Sequence, residues 1–184
     1  MTIVANKPII WNITLPELQR KEVNDFELAS HPHRSINIPI ISGADIHQVL
    51  KQRDVYMNQN VPGLLDRTPK PESAATANLV QFQLGELGFI YEYGLEGLVT
   101  ITAILKQHGM ELCPQLTGPM LAMLNSDFVQ IDSTHVLSEP ITAESGHELV
   151  YIVSPKKNGV GVDAYMVGAL YHDSQVIVSI ANTK

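Results

Sequence analysis

His147 and Asp163 are the first residues here whose types and spacing could do chemistry. Gly146-His147 precedes the apolar run Leu149 to Val153, and Asp163 closes Val160-Gly161-Val162. Between the runs, Lys156-Lys157-Asn158-Gly159 places Asn and Gly where a tight turn needs positive φ. The pattern predicts two adjacent strands, one opened by an imidazole and the other bearing a carboxylate. Such a pair can hold a general base in one tautomer. The plainer reading is two polar residues at strand ends. Ser73 is a third candidate, because it precedes Ala74-Ala75-Thr76-Ala77 and reads as the N-cap of a helix. A nucleophile there would have its anionic form favoured by the helix terminus. Capping a core helix is the equally good plain role.

The remaining reactive residues carry less. Cys113 stands before Pro114, after a helix that ends at Gly109, so no helix N-terminus follows to activate it. A structural thiol is expected. His31-Pro32-His33 could share a metal, but no Cys, Asp or Glu close by completes a ligand set, and a polar loop is expected. No cofactor and no metal are implied.

Other elements must position these groups. Pro8 to Ile13 is a short strand-like run, and Thr14-Leu15-Pro16-Glu17 reads as a helix start. Ile36 to Ile41 reads as a strand, placed at a sheet edge by Pro39. Ser42-Gly43-Ala44-Asp45 opens a helix with Ile46, Val49 and Leu50 on one face. Residues 58–73 form a long irregular segment with Pro62, Gly63, Pro69 and Pro71. A helix from Leu95 to His108 ends with Gly109 at C′. From Gly118-Pro119 onward, strands are expected at Met120–Leu124, Phe128–Ile131, Glu148–Val153, Val160–Leu170 and Gln175–Ala181, with a hairpin turn at Tyr171-His172-Asp173-Ser174. Helices before an antiparallel meander make an α+β fold.

Composition limits the function. The 184 residues suit one domain, and 45% hydrophobic content suits a packed core. A net charge of −7, with basic clusters only at Arg20-Lys21 and Lys156-Lys157, argues against nucleic acid as a partner. One cysteine excludes an internal disulfide. There is no signal-peptide layout and no apolar run long enough to span a membrane. A cytoplasmic location, or export without a signal peptide, is expected.

The order of elements over residues 61–181 resembles a papain-like cysteine peptidase, most of all the small bacterial effector proteases and the peptidase domains of bacteriocin exporters. The resemblance is carried by Val61-Pro62 leading toward Ser73, by Tyr93-Gly94-Leu95-Glu96-Gly97-Leu98, by Gly118-Pro119-Met120, by Gly146-His147 and by Val162-Asp163. It implies N-terminal helices on a C-terminal antiparallel sheet, with residues 1–60 as an extension and 61–184 as the main domain. It also implies Ser73 at the nucleophile position, His147 as base and Asp163 as orienting acid. Two departures matter. The family's Cys falls at Ser73, and its oxyanion-hole Gln falls near Asp66, where a carboxylate would repel a developing oxyanion. Losing the nucleophile from such a unit costs about 10⁶ in turnover. The resemblance therefore implies an inactive chain, either a natural pseudoenzyme or one carrying a nucleophile substitution. The alternative is a non-catalytic bacterial effector or accessory protein that binds a protein or peptide partner. An enzyme using the dispersed histidines ranks third.

Overall fold

The structure is a computed structural model that describes residues 26–181, apart from Ile90, Ile131, Asp132 and His172. The expected strand at 8–13 and most of the helix from Thr14 lie outside the described residues. Strand β1 (His33–Ile38) buries Ile36 and Ile38 and stops at Pro39. Helix α1 (Gly43–Gln52) follows its predicted cap, since the Asp45 backbone N–H donates to Ser42 Oγ at 3.1 Å. Ile46 and Leu50, one turn apart, are buried. Residues 58–73 are less irregular than expected. They hold helix α2 (Val61–Arg67), with Pro62 in the first turn where its missing N–H costs nothing. The two helices pack so closely that a Cβ on Gly43 would stand 1.8 Å from the Leu65 carbonyl oxygen.

The largest correction follows. The stretch after Ser73 is not a helix but strand β2 (Ala75–Gln83). It pairs antiparallel with β1 on one edge and with β10 (Gln175–Ile180) on the other. Ala77 and Leu79 face one core, Val80 and Phe82 the other. Burial on both faces overrides the weak helical preference of the alanines. Next come β3 (Tyr91–Tyr93), helix α3 (Gly94–Gln107) and β4 (Met110–Glu111). Helix α3 matches its expected span, and Gly109 takes the left-handed conformation (φ +71°) expected at its end. Met120–Leu124 is likewise not a strand. It belongs to helix α4 (Thr117–Met123), whose first turn holds Pro119 and whose Gly118 lies against the Tyr151 side chain. Phe128 and Val129 are buried but lie in a turn on Ser126.

The other strands are β5 (Thr134–Val136), β6 (Ile141–Thr142), β7 (Glu148–Lys156), β8 (Gly159–Met166) and β9 (Ala169–Tyr171). The β7–β8 hairpin turns in the predicted stretch, at Lys157-Asn158, but of the Asn-Gly pair only Gly159 takes positive φ (+125°); Ile152 stands opposite Asp163. The sheet runs β1-β2-β10-β5-β7-β8, with β4 on β10 and β6 on β7 as short additions flanking β5. This is a mixed α and β architecture but not a meander. Strand β10 sits mid-sheet, parallel to β5, and β9 pairs with β3 rather than with β10. Ser174 N–H bonds to the Tyr171 carbonyl at 3.0 Å, but β9 and β10 do not form a hairpin. Among the described residues before 60, β1 extends the sheet and α1 contributes to its core.

The two faces of the sheet are covered unequally. Ile36, Leu79, Val136, Tyr151, Val153, Val162 and Ile177 pack on one face with residues of α1, α2 and α4. On the other, Val80, Phe82, Val176, Val178 and Leu137 meet Ile101, Ile104 and Leu105 of α3. The second core contains no residue of β7 or β8. The other-face residues of those strands, Ile152, Ser154, Lys156, Asp163 and Tyr165, surround an open hollow instead.

Candidate functional site

The hollow has a volume of about 480 Å³ and is completed by Tyr56 and Ser133. Residues 53–60, between α1 and α2, close its side by clipping the outer edge of β8. Val162 N–H donates to the Tyr56 carbonyl at 3.0 Å. The Asn58 side chain imitates a strand partner, accepting from Ala164 N–H at 3.2 Å and donating to the Ala164 carbonyl at 3.1 Å. Asn60 donates to the same carbonyl at 3.1 Å. An edge satisfied in this way is blunted against further strand pairing. The clip also fixes Tyr56, whose ring centre lies 5.0 Å from Lys156 Nζ. Gly161 makes this arrangement possible, because a Cβ there would come within 2.9 Å of Lys156 Cγ and 3.1 Å of Tyr56 Cδ1.

Two polar side chains lining the hollow are buried with unmet hydrogen-bonding capacity. Ser154 is 3% exposed and its Oγ has no partner. Asp163 is 8% exposed and its Oδ1 has none. Burial raises the Asp163 carboxyl above its ordinary value. The Lys156 charge and the Asn58 backbone N–H pull it back down without cancelling that rise. Across Ile152 on the same sheet face stands half-buried His135 of β5, whose Nδ1 also lacks a partner. Burial lowers His135 below the usual imidazole value, partly offset by the Gln175 backbone carbonyl, and so favours the neutral ring. Ser133, at φ +57°, is one of three non-glycine residues at positive φ among those described.

Of the residues expected from sequence, the structure keeps only Asp163 at this site. His147 is exposed, in the turn between β6 and β7, where its carbonyl accepts from Ala143 N–H at 2.8 Å. It stands five residues along β7 from Ile152, the partner of Asp163, or about 17 Å at the rise of a strand. The imidazole and carboxylate do not meet. Ser73 is exposed just before β2, with β10, β5 and β7 lying between that strand and β8. It opens a strand, so no helix terminus acts on it. Asp66 lies in α2 and is exposed. Cys113 is buried, with Sγ donating to the Ile177 carbonyl at 3.5 Å, and burial pushes its pKa far above the thiol range. His31 stacks on Phe26 (4.9 Å) and lies 3.5 Å from Glu86 Oε2, while His33 Nε2 contacts the Leu28 carbonyl at 2.8 Å. Among the described residues no three His, Cys, Asp or Glu side chains gather as a metal site.

Ser154, His135 and Asp163 are the residue types of a hydrolase on one sheet face, but they are not connected as one. Ser154 Oγ has no hydrogen-bond partner, so no base touches it, and Ile152 separates the imidazole from the carboxylate. The sequence signal for Ser154 was available. Ile152, Ser154 and Lys156 alternate with buried Tyr151 and Val153, and that alternation puts them beside Asp163. His135 lies in a three-residue strand too short to show a period. Compared with known proteins, the chain matches no protein family, no curated protein and no solved structure.

Proposed function

We propose that the chain is a non-catalytic binding protein that takes a protein or peptide partner on the open half of its sheet. One observation carries this reading. Two buried polar side chains, Ser154 and Asp163, line an open hollow with hydrogen-bonding atoms unmet. Unmet buried groups are costly, each worth about 1–3 kcal/mol, and an incoming ligand can satisfy them. Half-exposed Tyr56 and Tyr165 flank the hollow, and tyrosine is among the residues that anchor protein interfaces. The papain-like hydrolase reading has less support, because Ser73, His147 and Asp163 stand apart.

Selection from a phage-displayed random peptide library tests the proposal. Peptides enriched on the wild-type chain should lose about tenfold or more in affinity on Tyr165→Ala, in the range of an interface hot spot. The same peptides should remain uncleaved on prolonged incubation. A selection that enriches nothing, or binders indifferent to Tyr165→Ala, would overturn the reading, and so would cleavage.

A further inference from the structure

We infer that the hollow receives the guanidinium of an arginine side chain presented by the partner polypeptide, with Asp163 as its acceptor. The inference rests on the binding function proposed above and names the group recognised there. Three observations carry it. Asp163 lines the hollow with one oxygen unmet; in its charged form a carboxylate only accepts, and the neighbouring Ser154 hydroxyl can accept as well. What is missing is therefore a donor. The second observation is charge. Lys156 is the cation acting on Asp163, yet its Nζ stands over the Tyr56 ring and it makes no ion pair with the carboxylate within 4.0 Å. Asp163 is buried without a close counter-charge, and the chain as a whole carries −7, which favours a basic partner. The third is shape. Tyr165 follows Asp163 on the same face of β8, and Tyr56 also lines the hollow, so aromatic side chains share it with the acceptor. A guanidinium has five donors in a plane and stacks on aromatic faces, whereas an ammonium is a compact, strongly hydrated point charge. Lys156 limits the affinity, because its charge repels a second cation.

The test uses an array of synthetic peptides with one central arginine in randomised flanks. Matched arrays carry citrulline, lysine or norleucine at that position. Citrulline keeps the shape of arginine and loses the charge. On the wild-type chain, arginine peptides should bind about tenfold or more tighter than their citrulline counterparts, the size expected for a hydrogen bond to a buried charge. Asp163→Asn should reduce that ratio to about twofold or less. Lys156→Met, which keeps the apolar stem and removes the competing charge, should raise arginine-peptide affinity about threefold or more. That variant supplies a second measurement if Asp163→Asn does not fold. Citrulline peptides binding as well as arginine peptides would overturn the inference while leaving the binding function standing. So would an arginine preference that survives Asp163→Asn, or a loss of affinity in Lys156→Met. An array on which no peptide binds would overturn the binding function and this inference with it.

Discussion

Gly43→Ala tests the support behind the hollow. An added Cβ would lie 1.8 Å from the Leu65 carbonyl oxygen, 2.7 Å from its carbon and 3.1 Å from its Cα. A carbon and a carbonyl oxygen normally approach no closer than about 3.3 Å, so α1 and α2 must part by about 1.5 Å. The atoms in the way are backbone and cannot rotate aside. Ile46, Leu50, Leu64 and Leu65, all 1% exposed or less, lie in that contact. A radial gap of even 0.5–1 Å forfeits about a quarter to a half of a dispersion well, and overpacking of this kind costs about 1–3 kcal/mol or more. Better helix propensity returns at most about 1 kcal/mol. The net loss is about 1–3 kcal/mol, which at an m-value of about 2–3 kcal/mol per molar lowers the urea midpoint by about 0.3–1.5 M. Gly63→Ala is the matched control one helix away, because nothing lies within 4 Å of its Cβ position. It should raise stability by up to about 1 kcal/mol. Urea titration followed by far-ultraviolet circular dichroism measures both. A Gly43→Ala midpoint at the wild-type value, or a Gly63→Ala midpoint that falls equally far, would refute the close approach of the helices. Because residues 53–60 join those helices and carry Tyr56, Gly43→Ala should weaken peptide binding as well.

Other consequences are open to measurement. The Asp163 carboxyl is held above its ordinary value, so the folded chain takes up its proton more readily than the unfolded chain. Its contribution is favourable in acid and is lost as pH rises through the raised value. Lys156, Tyr56, Tyr165 and the Asn58 N–H face it. Asp163→Asn should therefore match the wild type in acid and exceed it in stability at neutral pH, as read from urea midpoints across that range; a difference that shrinks toward neutrality would contradict the burial argument. Asn58→Ala removes both amide bonds to Ala164 and should cost about 1–3 kcal/mol. It should also free the β8 edge for association, visible as concentration-dependent light scattering. Cys113 should be silent to a water-soluble disulfide reagent in the folded chain and react at once in urea, since it is 3% exposed. Rapid labelling of native protein would show that its burial is misjudged.

Features written in contiguous residues were legible in the sequence. The cap of α1 is Ser42 with Asp45, the end of α3 is Gly109, and the β7–β8 turn is Lys157-Asn158 followed by Gly159; each acts on neighbours a few residues away. The features missed are set at a distance. Nothing local in Ala74 to Ala77 specifies a strand; its pairing with β1 and β10, the latter about a hundred residues later in the chain, decides the matter. Gly118-Pro119 is compatible with extended chain or with a first helical turn, and packing against Tyr151 selects the helix. The site followed the same rule. Asp163 was visible as a carboxylate on a predicted strand. That its face is open, and shared with Ser154 and His135, depends on where α3 lies, which no residue near 163 encodes.

The position of β10 has a consequence for how the fold is assembled. Strands β1 and β2 form one half of the sheet, and β5, β7 and β8 form the other; among the described strands β10 alone joins them. During synthesis, residues 26–174 emerge before the joining strand exists. Until it inserts, β2 and β5 each keep an inner edge unpaired, and Val80, Phe82 and Leu137 lack their contacts with Val176 and Val178. Such edges template intermolecular pairing, and closing them over so long a separation in sequence is slow. Aggregation of nascent chains should thus be decided in the interval before residues 175–180 arrive. For the same reason, a chain ending at residue 174 should be rescued in trans by a synthetic peptide of the β10 sequence.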